Sequence, residues 1–353
     1  MNLSKFAQQI ASRAESYKLF AYFLGALTAF FYAVQHAFTN PLYTELLRDK
    51  DGIQKVHPIM DAVLFAEVIT LLFTLIFLME KEVSQGVRQL SVNPDRWPAI
   101  LEYSIFGILS LISYIVAQSG LKTTQVAILA AISPFTYPLV ALMRSKVFAS
   151  RAPSFPKFYW VFWFLLIFPA LFFLFFGDHE LGKLSWNPTS VLAALFTPLF
   201  FYWAASCFRE SFEKFEIFPA TVLSGIVAGV VTATIIIVVF FVGDYRSEVW
   251  RSVIAFSDAT SNKAYYLLLA AIGTFCIAFP AKILFQSSLF ASSETESTIS
   301  LLFFLTPLFS TVLSHLVFLL FGFSGYDVSI HEIIASIITI PIVISLNYLN
   351  KKE

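Results

Sequence analysis

Two segments of this sequence lie 173 residues apart and share one unusual pattern. The first, ILAAISPFTYPLVALM, begins at Ile128, and the second, LLFFLTPLFSTVLSHL, begins at Leu301. Each runs from an apolar stretch into a hydroxyl residue followed by a proline, Pro134 or Pro307, and then continues as an apolar stretch. Because the offset is close to half of the 353-residue chain, the pattern predicts two copies of one membrane unit, an arrangement typical of secondary transporters.

The composition indicates that lipid is the solvent of most of the chain. Hydrophobic residues make up 58%, charged residues 13%, and the mean hydropathy is +0.76, far from a soluble mixture. The net charge is zero, so nothing predicts nucleic acid as a partner. Cys207 and Cys276 lie in apolar segments without metal-ligand spacing, and we expect neither a disulfide framework, nor a metal site, nor a cofactor.

A helix needs about 20 apolar residues to cross the bilayer, and ten segments meet this requirement. They are 18–39, 58–79, 98–118, 121–143, 157–177, 188–208, 218–242, 264–288, 297–321 and 329–349. The chain then divides into a first five-helix repeat over 1–177, a connector over 178–187 and a second five-helix repeat over 188–353. Five is an odd number, so the second copy enters the membrane inverted. The predicted fold is all-α, with ten transmembrane helices in two inverted repeats.

The distribution of Lys and Arg predicts the orientation of these spans. With the N-terminus in the cytoplasm, the inner segments carry fourteen Lys and Arg residues and the outer segments carry eight. We therefore expect both termini to lie in the cytoplasm and the chain to lie in the inner, or plasma, membrane.

The run LKTTQVAILAAISPFTYPLVALM, the ten spans in two halves and the short turn between the third and fourth spans together resemble the drug/metabolite transporter superfamily. The most similar branch is that of the bacterial EamA-type permeases, whose fourth and ninth helices commonly carry a proline, as Pro134 and Pro307 do here. The end of the sixth span, FYWAASCFRESFEKF, and the last segment, EIIASIITIPIVISLNYLNKKE, are also similar. This resemblance covers nearly the whole chain and implies a transporter in which the two prolines bend equivalent helices beside the substrate site.

Two ionisable side chains stand out well inside the predicted spans, where each costs about 2.5–3.5 kcal/mol on insertion scales. Glu67, near the middle of the second span, has a side chain too short to reach water. It is either a protonated acid that donates to a helix carbonyl or a carboxylate that carries a proton during transport.

Lys282 in the eighth span admits three interpretations. Its ammonium group extends to the polar end of the helix near Ser288, pairs with Glu67, or contacts the substrate. Gln286, one turn later on the same face, favours the last interpretation, as does Pro280, which frees a backbone carbonyl. A helix interruption beside a charge is what a site within the membrane requires.

Polar and aromatic side chains also form stripes along two spans. One stripe in the first span consists of Tyr32, Gln35, His36 and Thr39, and one in the third consists of Ser110, Tyr114 and Gln118. Such stripes join helices through hydrogen bonds, which is the role we assign to Thr39 and Ser110. The larger members are predicted to line a solute cavity, together with aromatic residues of the sixth span. These cavity residues are Tyr32, His36, Tyr114, Gln118, Tyr202 and Trp203.

The expected function follows from these features. An aromatic cavity with few charges suits a small amphipathic solute better than a sugar phosphate, which would need several Lys or Arg. The sequence has no HExxH, GxSxG or Walker motif, so an enzyme is not predicted. We expect a secondary transporter, monomer or homodimer, that moves a small organic solute by alternating access, with Glu67 as the candidate proton-coupling residue. The alternative is a non-transporting structural or lipid-interacting membrane protein that keeps the transporter fold.

Overall fold

The computed structural model of this protein is helical, and the part that it describes contains no β-strand. The described residues are 3–47, 71–72, 74–121, 126, 129, 140, 142–144, 188–241, 272–290, 305–306, 309–310, 312–313, 315–316, 319, 333–334 and 337. The helices are α1 (Leu3–Ser16), α2 (Lys18–Leu47), α3 (Lys81–Val92), α4 (Trp97–Gly120), α5 (Pro188–Ser211), α6 (Ile217–Phe241) and α7 (Phe279–Ser288). A π-helix at Ile272–Ala278 leads into α7, and 3₁₀ turns at Pro94–Arg96 and Lys214–Glu216 precede α4 and α6. The all-α prediction is confirmed for these residues.

Within this described part, three helices are long and apolar enough to cross a membrane. They cover Pro94–Ala117, Pro188–Ser211 and Lys214–Ile235, and correspond to the third, sixth and seventh predicted spans. A shorter apolar helix, Leu19–Gln35, lies in the first predicted span, and α2 continues past the predicted end at residue 39 to Leu47. The helix α7 ends at Ser288, where the eighth span is predicted to end.

The other predicted spans lie mostly outside the described residues. Three of the predicted functional positions lie there as well. These are Glu67, Pro134 and Pro307.

Two amphipathic helices, α1 and α3, precede the first and third predicted spans and were not predicted from the sequence. In α1 the buried residues are Ala7, Ile10, Ala11 and Ala14, which follow the i, i+3, i+4, i+7 spacing of one helix face. In α3 the buried residues are Val83 and Leu90. Gly86 of α3 faces the first turn of α6 so closely that a Cβ atom there would lie 2.5 Å from Cγ of Pro219. The apolar faces of α1 and α3 therefore pack onto the ends of the long helices.

The helices α4 and α5 form a pair that is in contact along its whole length. Three contacts from side chains to carbonyl oxygens cross the interface, from Cys207 to Ala99, from Ser110 to Thr197 and from Ser190 to Val116. The Ser110 bond, 3.1 Å long, is the interhelical contact that the sequence predicts for this residue. Because residue 99 lies in the first turn of α4 and residue 116 near its end, the pair is joined from one end to the other.

The remaining helices pack around this pair at close range. Ser104 of α4 donates to the carbonyl oxygen of Ser224 in α6 at 3.3 Å, and α2 packs along the π-helix and α7. Leu71 and Thr74 approach α6 where it has glycines, since a Cβ on Gly225 would lie 3.1 Å from Oγ1 of Thr74. Small residues at such crossings let helix backbones approach each other in membranes.

Ion pairs gather at one end of the bundle, where α4 and α6 begin and α5 and α7 end. We call it the charged end. Its ion pairs are Lys5–Glu82, Lys214–Glu15, Arg96–Glu216, Arg144–Glu102 and Arg144–Glu210. The N-terminal amide of α1 also belongs here, because the backbone N–H of Leu3 donates to the carboxylate of Glu80 at 3.1 Å. Segments far apart in the sequence are thus joined at this end.

Candidate functional site

Gln286 is the centre of a buried polar cluster between three helices. Its side chain is 1% exposed, its Nε2 donates to the hydroxyl of Tyr103 in α4, and its Oε1 accepts from the hydroxyl of Thr221 in α6. Both ends of the amide therefore have partners, as a buried amide requires. Lys282 lies one turn before Gln286 on α7 and belongs to the same cluster. We call these two residues, together with Tyr103 and Thr221, the Lys282 site.

The ammonium group of Lys282 lies over the face of the Tyr103 ring, with Nζ 5.0 Å from the ring centroid. A contact of this type contributes about 0.5–2 kcal/mol, more as it is desolvated. Lys282 lies six residues before the end of α7, and Tyr103 lies six residues after the start of α4, so both are about 9 Å from the charged end. The charge of Lys282 thus lies against an aromatic ring, and none of the three interpretations from the sequence includes this contact.

The helix is irregular next to this lysine. The π-helix covers the seven residues Ile272–Ala278, and α7 begins at Phe279 with Pro280 in its first turn. Proline has no N–H, so the carbonyl groups one turn earlier lack the donor that another residue would supply. π-helical turns occur frequently at functional sites. The combination places an interruption of regular hydrogen bonding within two turns of Lys282.

Aromatic side chains connect this cluster to α2 and α5. The ring of Tyr32 in α2 meets Phe201 edge-on with centroids 6.3 Å apart, and Phe201 contacts Phe285 of α7 at 4.8 Å. Tyr202 is fully buried and packs edge-on against Phe201. Since Phe285 directly precedes Gln286, the predicted residues Tyr32 and Tyr202 lie beside the Lys282 site, joined to it through two phenylalanines.

A second polar cluster lies around Trp203 of α5, next to the first turns of α4 at the charged end. The indole Nε1 donates to Oε1 of Glu102 at 2.6 Å, and the ring stacks on Phe106 at 4.6 Å. The guanidinium of Arg144 pairs with Glu102 and lies 5.8 Å from the centroid of the Trp203 ring. Trp203 was predicted to line a solute cavity, and the structure places it in this charged cluster.

The other predicted residues are spread more widely. Tyr114 is half-buried beside a cluster that contains Ala117 and Ala194, and it lies eleven residues from Tyr103 along α4, about 16 Å away. His36 and Gln118 belong to α2 and α4, but their side chains lie outside the described residues, as do Glu67 and the two prolines Pro134 and Pro307 in full.

Sequence reasoning missed Tyr103, Thr221, Glu102 and Arg144. The signal for Glu102 was present, because it is an ionisable residue inside the third predicted span and meets the rule that singled out Glu67 and Lys282. It lies near the start of the span and is easily taken for a boundary residue. Tyr103 and Thr221 carry no such signal, since their role depends on the amide of Gln286 from another helix.

Among the residues that the structure describes, no group of three or more His, Cys, Asp or Glu side chains could hold a metal ion. The Lys282 site offers an ammonium group over the aromatic ring of Tyr103, with a helix interruption within two turns of it. Such groups can orient a small solute through charge and ring contacts.

No family model matches the chain, and no curated protein matches it either. The resemblance to drug/metabolite transporters therefore rests on the pattern of spans and prolines.

Proposed function

We propose that the chain is a ten-span secondary transporter of the drug/metabolite type, built from two inverted five-helix repeats. It moves a small organic solute across the plasma membrane by alternating access. The observation that carries this proposal is the set of contacts between its helices. These contacts occur in twos, and a two-fold axis would exchange the two members of each set.

The order of the spans determines which contacts a two-fold axis would exchange. The axis would exchange the first span with the sixth and the third span with the eighth. A contact between the third and sixth spans would then correspond to a contact between the eighth and first spans. The bundle has both, since α4 packs on α5 and α2 packs on the π-helix and α7. The same axis turns a third–seventh contact into an eighth–second contact. Both exist, as Ser104 bonds to Ser224 and Phe77 stacks on Phe279 at 4.6 Å.

The same axis exchanges the second span with the seventh, so a contact between these two spans is turned into itself. Leu71 and Thr74 lie against Gly229 and Gly225 of α6, so this crossing lies where the axis would pass. A pseudo-two-fold in the membrane plane is how inverted-repeat transporters are organised, with the substrate between the repeats. The contacts of the described helices therefore support the duplication that the sequence predicts.

The Lys282 site supports a small amphipathic solute as cargo. Lys282 is the charged residue of this site, it lies about 9 Å from the charged end of the helices, and its ammonium lies over the ring of Tyr103. The ring of Phe285, which precedes Gln286 in the chain, contacts the ring of Phe201. An acidic group of the solute would contact the ammonium, and its apolar part would lie against the rings. The ion-paired segments at the charged end are among those that the Lys and Arg distribution assigns to the cytoplasm, and their contacts support the proposal that these segments lie on one side of the membrane.

Reconstitution tests the proposal directly. A thermal-shift screen of amino acids, nucleosides, amines and polyamines on the purified protein identifies a stabilising solute. Uptake of that solute is then measured in proteoliposomes with and without a proton gradient, with protein-free liposomes as the control. We expect saturable uptake. A solute that stabilises the protein and yet never crosses the bilayer under any gradient would favour the non-transporting alternative.

A further inference from the structure

Arg144 is held between two carboxylates that belong to different parts of the chain. Its guanidinium donates to Glu102 of α4 through Nη1 and to Glu210 of α5 through Nη2, the latter at 2.9 Å. The side chain of Arg144 is 5% exposed, that of Glu102 is 17% exposed and that of Glu210 is 49% exposed. The contact therefore closes the helical turn at 142–144 onto the α4–α5 pair.

The α4–α5 side of this contact is held in place by bonds that do not involve Arg144. On one side, α4 and α5 are joined from end to end, and Glu102 also accepts a hydrogen bond from Trp203 at 2.6 Å. Glu102 thus keeps a donor if Arg144 departs. On the other side, Arg144 reaches this pair from the helical turn at 142–144. Glu102 can therefore stay in place when Arg144 separates from it.

An ion pair suits a contact that must open. A permanent seal would be at least as stable with well-packed apolar side chains in place of a buried ion pair. Charged side chains differ from apolar ones when they separate, because water solvates each ion once the charged end opens. Glu210 is already half-exposed. The closed and open arrangements can then lie close in free energy, as a two-state element requires.

We propose that Arg144, with Glu102 and Glu210, is an ionic latch that closes the transport pathway at the charged end and has to part before solute passes there. This proposal rests on the proposed transport function. The latch would be formed in the closed arrangement seen here and broken when the charged end opens.

The chain contains a native reporter for this event. Cys207 is fully buried in the α4–α5 interface, with Sγ 3.5 Å from the carbonyl oxygen of Ala99. It lies close to Trp203 and Glu210 on α5, so an opening at the latch gives water and reagents access to it. The chain has two cysteines, and Cys276 is exposed, so Cys276→Ser leaves Cys207 as the sole thiol.

The experiment measures alkylation of Cys207 by N-ethylmaleimide in the Cys276→Ser protein in proteoliposomes. Glu210→Gln keeps the shape of the side chain and weakens the latch on its more exposed side. Arg144→Gln removes the latch outright. Losing a hydrogen bond to a charged group shifts such an equilibrium by about tenfold to a hundredfold, so we expect the alkylation rate to rise by that factor. Arg144→Lys keeps the charge and should give an intermediate rate.

The matched control is Lys214→Gln, which removes the ion pair with Glu15 at the same end without touching the latch. We expect its Cys207 rate to match that of the parent. Thermal unfolding of every variant shows whether a raised rate merely reflects a protein that has lost its fold. A folded Glu210→Gln or Arg144→Gln protein with the parental rate overturns the latch, as does an equal rise in Lys214→Gln. Alkylation needs no solute, so absence of uptake by the parent would refute the transport function separately.

Discussion

Lys282 and Tyr103 face each other across two helices from different halves of the chain, with the ammonium nitrogen 5.0 Å from the ring centroid. The phenol hydroxyl of the same ring accepts a hydrogen bond from Gln286, one turn after Lys282. One tyrosine therefore contacts both Lys282 and Gln286 of α7. This relationship makes the roles of the lysine charge and of the phenol hydroxyl separable by substitution.

Replacing Lys282 by methionine is expected to abolish uptake while leaving thermal unfolding nearly unchanged. Methionine keeps a flexible apolar side chain of similar length and removes the charge. Lys282→Arg, which retains a cation that can lie over the Tyr103 ring, should retain part of the uptake. Initial uptake rates in proteoliposomes measure the effect. Near-normal uptake by Lys282→Met would remove Lys282 from the site and direct attention to His36 and Tyr114.

A structural ion pair between Lys282 and Glu67 predicts a different pattern. Either Glu67→Gln or Lys282→Met alone should then lower the unfolding temperature, because it leaves one charge without its partner at low dielectric. The double variant should recover much of the loss, and the coupling is read from the double-mutant cycle. If the two single effects simply add, Glu67 and Lys282 are not a pair.

Tyr103→Phe is expected to destabilise the protein by about 1–3 kcal/mol, because the amide N–H of Gln286 loses its buried acceptor. The phenylalanine ring remains available to the ammonium of Lys282. The control is Tyr17→Phe, since Tyr17 is 67% exposed and its substitution should leave the unfolding temperature unchanged. Thermal unfolding in detergent compares the two variants, and equal stability of both would contradict the role of the buried hydroxyl.

Two glycines give an opposite pair of outcomes on substitution by alanine. A Cβ at Gly86 would lie 2.5 Å from Cγ of Pro219, an atom of a ring that cannot rotate away, so Gly86→Ala should cost about 1–3 kcal/mol. A Cβ at Gly107 would meet nothing within 4 Å, and Gly107→Ala should be neutral or stabilise α4 by up to about 1 kcal/mol. Unfolding temperatures measure both, and a harmless Gly86→Ala would place α3 farther from α6 than the structure does.

The orientation is tested at the C-terminus. A reporter enzyme that is active only outside the cytoplasm, fused after Glu353, should stay inactive, because the Lys and Arg distribution predicts that both termini lie inside. The same reporter fused within the connector 178–187 should be active and provides the positive control. Activity after Glu353 would reverse the proposed topology and remove the inverted relation of the halves.

Hydropathy and helix period were enough to predict much of the described fold. The third, sixth and seventh spans could be located because 20 or so apolar residues in a row leave the backbone no alternative to a helix in lipid. The amphipathic helix α1 could have been predicted as well, since Ala7, Ile10, Ala11 and Ala14 repeat with the spacing of a helix face. These properties are local, and each segment carries its own evidence.

The tertiary structure alone decided which polar groups meet. The sequence singles out Lys282 and Gln286, yet nothing in it indicates that Gln286 bonds to Tyr103 and Thr221, which lie 183 and 65 residues away. It likewise gives Trp203 a large aromatic side chain without indicating the carboxylate of Glu102 beside it. A side chain's partners depend on how helices cross and rotate against one another, and those angles are set by packing over the whole bundle.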